Sequence, residues 1–72
     1  MNTARMKSVM VLHGDTSAVL AGAIGVSPQR FSAKINERNN AEFTQSEISK
    51  IKERYNLPPE EIDLIFFKEK VS

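Results

Sequence analysis

Gln29 and Arg30 are adjacent side chains that can each form paired hydrogen bonds with the edge of a nucleic-acid base. A glutamine amide has one acceptor and one donor group, which match N7 and N6 of adenine. An arginine guanidinium has parallel donors, which match O6 and N7 of guanine or the oxygens of a phosphate. The nearby Ala33 has a methyl group that could contact the methyl of thymine. This chemistry requires the segment to be a helix with a solvent-facing side.

The residues around Gly25 predict two short helices joined by a tight turn. Gly25 follows a run of helix-forming residues and can adopt the left-handed conformation that ends a helix, so the first helix should end near Ile24. Ser27 can supply an N-cap oxygen, and Pro28 has a φ angle suited to the first helical position. A second helix is therefore predicted over Ser27–Asn36.

The second predicted helix has one apolar side and one polar side. Leu20 and Ile24 of the first helix and Phe31 and Ile35 of the second recur at helical spacing, so we expect them in the core. The remaining side chains are expected to face outward: Gln29, Arg30, Ser32, Ala33, Lys34 and Asn36. A solvated helix face without a ligand is the alternative interpretation of this polar side.

The sterically constrained positions of a helix-turn-helix motif are occupied here by Ala21, Gly25, Val26 and Phe31. On these residues the chain resembles the lambda-repressor-like, Cro-like helix-turn-helix regulators of bacteria and their phages. A similarity to small Cro-like phage regulators from Gram-positive hosts extends from about Met6 to Val71. The resemblance implies an all-α, five-helix lambda-repressor-like DNA-binding domain with the helix-turn-helix at helices 2 and 3. The helix over Ser27–Asn36 would then enter the major groove.

The resemblance also implies roles for individual residues. Pro28, Gln29 and Ala33 match base-facing positions of the family, Asn36 matches a backbone-contacting one, and Ser17 matches the start of the phosphate-facing helix. The chain departs from the family at two points. Lys34 stands where the wider superfamily often has an apolar residue, and the loop over residues 37–41 is longer than usual and lacks the common glycine.

Contacts with the DNA backbone are expected from residues on both sides of these base-facing positions. Lys34 and Arg38 are the predicted charge partners of phosphate, because three basic residues and one acid lie between residues 27 and 40. The other predicted backbone contacts are neutral: Thr16, Ser17, Ser32, Asn36, Asn39 and Asn40. Thr16 and Ser17 are also candidates for helix capping. The formal net charge of the whole chain is only +1.

The rest of the sequence predicts three further helices and no strand. A first helix is expected over Thr3–His13, and Asp15 or Thr16 can cap the helix that follows it. Thr44 and Glu47 form a capping-box pattern that predicts a helix over Gln45–Tyr55. After Pro58 and Pro59, a last helix is expected, with Glu60 and Glu61 in its first turn and Ile62, Ile65 and Phe66 facing inward.

Composition argues against several other classes of protein. The 72 residues are expected to form a single domain over 1–72, and the lack of cysteine excludes disulfides and thiolate metal sites. His13 is interpreted as a half-buried helix residue rather than a metal ligand. No apolar run approaches the length of a membrane span, so a cytoplasmic protein is expected. No nucleophile, base and oxyanion donor are grouped together, so we expect neither an enzyme nor a cofactor or small-molecule ligand.

The expected partners are double-stranded DNA and a second copy of the chain. Phe66, Phe67 and the tail Lys68–Ser72 are candidates for the dimer surface, although Phe67 could instead fold back on Tyr55. The alternative function is a protein-interaction module, as in an antirepressor or antitoxin, that keeps the fold but binds another regulator. The near-neutral charge and an exposed apolar end at Ile65, Phe66, Phe67 and Val71 favour that alternative.

Overall fold

A computed structural model of the chain describes residues 1–67, which form five α-helices and no β-strand. The α-helices are α1 (Thr3–Leu12), α2 (Ser17–Ile24), α3 (Pro28–Ile35), α4 (Gln45–Tyr55) and α5 (Pro59–Ile62). A 3₁₀ turn, Arg38–Asn40, lies between α3 and α4, and α5 continues into a π-helical segment, Asp63–Phe67. The predicted all-α class is confirmed.

Side-chain caps set the starts of α2, α3 and α4 where the sequence predicts them. The hydroxyl oxygens of Thr16, Ser27 and Thr44 each accept a hydrogen bond from the backbone N–H three residues later. At α4 the capping box is complete, because the Glu47 carboxylate also accepts from the N–H of Thr44. The predicted bounds of α4 are confirmed, whereas α1 ends at Leu12 and His13 is its C-cap.

The turn between α2 and α3 depends on the backbone conformation of Gly25. This residue has φ 82° and ψ 29°, in the left-handed region that favours glycine. The N–H of Val26 then donates to the carbonyl of Ala21 at 2.9 Å. Ala21 is completely buried, and the half-buried Val26 packs against the core. The predicted turn is confirmed, and with it the start of α3 directly after the turn.

The core is formed mainly by α1, α2, α3, α4 and the π-helical segment. Each of these five contributes one of the largest fully buried side chains, which are Met6, Leu20, Phe31, Ile51 and Ile65. The four apolar residues of α2 and α3 that were predicted from helical spacing are all buried. Burial of one large apolar side chain contributes about 1.5–3 kcal/mol. The core therefore packs against one side of α3 and leaves its opposite side accessible to solvent.

A polar cluster joins the loop after α1 to the end of α4. The Arg54 guanidinium donates to both carboxylate oxygens of Asp15, at 2.8 and 3.1 Å, and the Tyr55 hydroxyl donates to the same carboxylate. These hydrogen bonds lower the pKa of Asp15 to about 2. Burial, together with the bond to Asp15, raises the pKa of Tyr55 to about 12. The position of α4 is thus fixed relative to the start of α2.

Two expectations about exposure were wrong. His13 is exposed rather than half-buried, because it lies past the end of α1, where its ring packs against Tyr55 with centroids 4.6 Å apart. The apolar end named in favour of a protein partner is also less exposed than expected, since Ile65 is fully buried and Phe66 half-buried, in agreement with the prediction that both face inward. Phe67 is half exposed, and its ring centroid lies 6.4 Å from that of Phe66. Val71 and the tail Lys68–Ser72 lie outside the described residues.

We expect Gly25→Ala to lower the free energy of unfolding by about 1–2 kcal/mol, because an alanine at φ 82° is strained. A Cβ at this position would meet only the Lys50 Nζ atom, at 4.0 Å, so the loss would come from the backbone. Gly22→Ala is the matched control. It places a methyl group in open space within α2 and should raise stability by about 0.5–1 kcal/mol. Urea denaturation measures both, and equal effects would contradict the role of Gly25.

Candidate nucleic-acid interface

The first turn of α3 presents three exposed side chains. Pro28, Gln29 and Arg30 are all exposed, as the sequence predicts. The Ser27 hydroxyl accepts a hydrogen bond from the N–H of Arg30, so the helix begins directly after the turn at Gly25. The base-edge chemistry of the glutamine amide and the arginine guanidinium is therefore available on the surface.

The second half of α3 is partly covered by the segment that follows it. Ser32 and Ala33 are half-buried, whereas Asn36 is exposed and its Nδ2 donates to the carbonyl of Ser32 at 3.0 Å. Arg38 folds back on the helix and donates from Nη2 to the Ser32 hydroxyl at 2.6 Å. With 3.6 residues per turn, Gln29, Ala33 and Asn36 share one side of α3. The accessible part of that side is mainly its N-terminal turn.

Thr16 and Ser17 are exposed at the start of α2. The Thr16 Oγ1 atom accepts from the N–H of Val19 at 3.2 Å, so the predicted capping role of Thr16 is confirmed. Its hydroxyl proton can still be donated to another acceptor, because a hydroxyl has one donor and two lone pairs. Capping and a phosphate contact are therefore compatible at this residue.

The loop over residues 37–41 contains no glycine, and three of its residues adopt the left-handed conformation instead. Glu37, Asn39 and Asn40 have φ angles of 55°, 54° and 62°. Asparagine tolerates this region better than most residues because its short polar side chain can bond locally. The 3₁₀ turn Arg38–Asn40 leaves both asparagines exposed next to α3. They remain candidates for backbone contacts.

Lys34 does not face outward, so the expectation that it lies on the exposed side of α3 was wrong. The residue is only 8% exposed. Its position is three residues after Phe31, on the side of α3 that packs on the core. The Nζ atom donates to Oε1 of Glu47 at 2.8 Å and to the carbonyl of Glu42 at 3.2 Å. The missed signal was that the helix-turn-helix regulators which the sequence resembles often have an apolar residue at this position.

Glu47 is a structural partner of α3 that the sequence reasoning missed. Burial disfavours its charged form, but hydrogen bonds from the Lys34 ammonium and the Thr44 N–H outweigh this and lower the pKa of Glu47. Glu47 therefore carries its negative charge at neutral pH. The capping-box pattern predicted the bond to Thr44, but no local pattern connects Glu47 to a lysine 13 residues earlier.

The arrangement is suited to contact with an extended polar surface. Amide, guanidinium, hydroxyl and small apolar groups lie on or beside α3, and the clefts around them are open. Residues 1–67 contain no group of three His, Asp or Glu side chains placed to hold a metal ion. None of the helices in this described range has both the length and the apolarity needed to cross a bilayer.

Comparison with known proteins identifies no matching family model, no matching curated protein and no matching solved structure. The geometry of α2, the turn and α3, and the chemistry of their exposed side chains, are therefore the basis on which a function can be assigned.

We expect Glu47→Ala to lower the free energy of unfolding by about 3 kcal/mol, because it leaves the Lys34 ammonium buried without a counter-charge. Lys34→Met removes the buried ammonium and keeps an apolar side chain of similar length, but it leaves the Glu47 carboxylate with only the Thr44 N–H as a hydrogen-bond partner. It should therefore cost less than Glu47→Ala, about 1–2 kcal/mol. Urea denaturation of both variants checks this. If Lys34→Met were as destabilising as Glu47→Ala, the ion pair itself would be the main stabilising feature.

Proposed function

We propose that the chain is a sequence-specific, double-stranded DNA-binding transcriptional regulator with a lambda-repressor-like helix-turn-helix formed by α2 and α3. The observation that carries the proposal is the exposed turn Pro28–Arg30, which follows directly on the left-handed turn at Gly25. In this arrangement the N-terminal part of α3 would enter the major groove. Gln29 would read adenine, and Arg30 would contact guanine or a phosphate. The chain would act by binding rather than by catalysis.

The distribution of charge supports a mode of binding in which base contacts matter more than bulk attraction. Lys34 is neutralised by Glu47, so Arg30 and Arg38 are the exposed basic side chains that remain within residues 27–40. Two phosphate contacts per copy would give a slope of log affinity against log salt of about −2. One copy would therefore bind weakly, and a homodimer on a two-fold operator would raise the affinity.

As a Cro-like repressor, the protein would act in the cytoplasm of a bacterial host. It would block polymerase at a promoter of a phage or other mobile element. The two copies would occupy half-sites about one helical turn of DNA apart. Thr16, Ser17, Asn36, Asn39 and Asn40 would contribute neutral contacts to the DNA backbone around each copy of α3.

A protein-interaction module that binds another regulator is the second candidate function. Val11 and Leu12 at the end of α1 are 77% and 81% exposed, and Phe67 is 50% exposed. Exposed apolar side chains favour a protein partner when they are grouped. In that case the chain would bind no DNA duplex even at low salt. A DNA-binding regulator, in contrast, would bind duplexes most strongly at low salt.

We expect selection from a random pool of DNA duplexes at moderate salt to enrich a two-fold sequence motif. Gln29→Ala should lose the preference for one base pair in each half-site, at a cost of about 1–3 kcal/mol for the preferred duplex. Gln45→Ala is the matched control, since Gln45 is also an exposed glutamine in the first turn of a helix. Sequencing of the bound duplexes measures both effects.

Failure of this experiment can take two forms. Absence of any enriched motif would contradict sequence-specific binding and favour a protein partner. An enriched motif that Gln29→Ala leaves unchanged would retain DNA binding but contradict the assignment of Gln29 as a base-reading residue.

The salt dependence of DNA affinity should separate Arg38 from Lys34. Arg38→Ala should weaken binding to all sequences about equally and reduce the magnitude of the salt slope by about 1 for each copy of the chain. Lys34→Met should leave the slope unchanged, because the Lys34 ammonium is buried against Glu47. Fluorescence anisotropy titrations between low and moderate salt measure both slopes. A slope reduced by Lys34→Met would mean that this ammonium reaches the DNA.

A further inference from the structure

A cleft of about 220 Å³ lies beside the exposed turn of α3. One wall is α3 itself, with Arg30 and Ala33, and the other wall is the segment after the 3₁₀ turn, with Ala41 and Glu42. Ala33 and Ala41 are half-buried, while Arg30 and Glu42 are exposed. Glu42, an acidic residue, therefore lies next to the face that the proposed function places against DNA.

The second wall is fixed to α3 by the buried lysine. Lys34 Nζ donates to the carbonyl of Glu42 at 3.2 Å and is itself held by Oε1 of Glu47 at 2.8 Å. The N–H of Ala41 donates to the carbonyl of Arg38 at 2.9 Å, which closes the preceding turn. The backbone that carries the Glu42 side chain thus has a defined position relative to α3. A residue on such a backbone is suited to recognition, because binding does not carry the entropy cost of ordering the backbone.

We propose that Glu42 is a specificity-determining residue that selects cytosine at a base pair beside the one read by Gln29; this inference rests on the proposed function. An ionised carboxylate can only accept hydrogen bonds. In the major groove, cytosine presents the N4 amino donor, whereas guanine presents the acceptors N7 and O6 and thymine presents the acceptor O4. Adenine has an N6 donor, but its N7 acceptor lies beside it. Cytosine is the base that suits Glu42 best.

The charges in the cleft also favour discrimination between DNA sequences more than they raise the affinity for DNA. A carboxylate near DNA is repelled by phosphates and by base acceptors, so it lowers binding to duplexes that lack a suitable donor. Arg30 on the opposite wall can donate to the guanine of a C·G pair, while Glu42 accepts from its cytosine or from a neighbouring one. The methyl groups of Ala33 and Ala41 leave the cleft open to a base edge. Glu42 would reject wrong sequences, and Arg30 would supply attraction.

The test is selection from a random duplex pool with the full chain and its variants Glu42→Ala and Glu42→Gln. We expect the motif of the unaltered chain to contain a C·G pair. Glu42→Ala should reduce the preference for that pair about fivefold or more and leave the base pair read by Gln29 unchanged. Glu42→Gln should shift the preference at that position from cytosine to adenine, because a glutamine amide matches N6 and N7 of adenine.

Glu60→Ala is the matched control, because it removes an exposed carboxylate from the first turn of α5 and so makes the same change in net charge. It should leave every position of the motif unchanged. Thermal unfolding of each variant should match that of the unaltered chain. Preferences that stay within twofold at every position in both Glu42 variants would overturn the inference while the proposed function stands. Absence of any motif for the unaltered chain would overturn both.

Discussion

The Lys34 ammonium is the group on which the arrangement of the exposed face depends. A buried charge is tolerated only when it is paired and hydrogen-bonded, and here Glu47 Oε1 and the Glu42 carbonyl satisfy it. The same Glu47 oxygen accepts from the Thr44 N–H at the start of α4. The Glu47 carboxylate therefore caps α4 and binds Lys34, and the Lys34 ammonium in turn holds the backbone at Glu42 beside α3. The position of this segment relative to the exposed face of α3 follows from the shared contact.

The neutralised lysine also changes how DNA recognition would work. With Lys34 paired inside the fold, the exposed face of α3 keeps the arginines Arg30 and Arg38, and the whole chain has a net charge of only +1. Counterion release from so few charges supplies little affinity. Recognition by this chain would thus depend on hydrogen bonds to base edges and on a second copy. A precisely held helix matters more for such binding than a strongly basic surface does.

Local signals in the sequence were sufficient for the helix boundaries around the site. The caps at Thr16, Ser27 and Thr44 and the left-handed turn at Gly25 each involve atoms within a few residues, so residue type and spacing predict them. Helical periodicity likewise predicted the buried residues of α2 and α3. The exposure of Gln29 and Arg30 followed from the same pattern. The all-helical class and the candidate base-facing turn were therefore predictable.

The sequence by itself determined which segments are helical, where α2, α3 and α4 begin, and which turn joins α2 to α3. Only the tertiary structure decided that Lys34 is buried, that Arg38 folds back on Ser32, and that Glu42 forms a wall beside α3. The physical reason is the range of the interactions. A cap or a turn forms within one helical turn of chain, whereas the side that a lysine faces depends on partners such as Glu47, which packing brings next to it from a different helix.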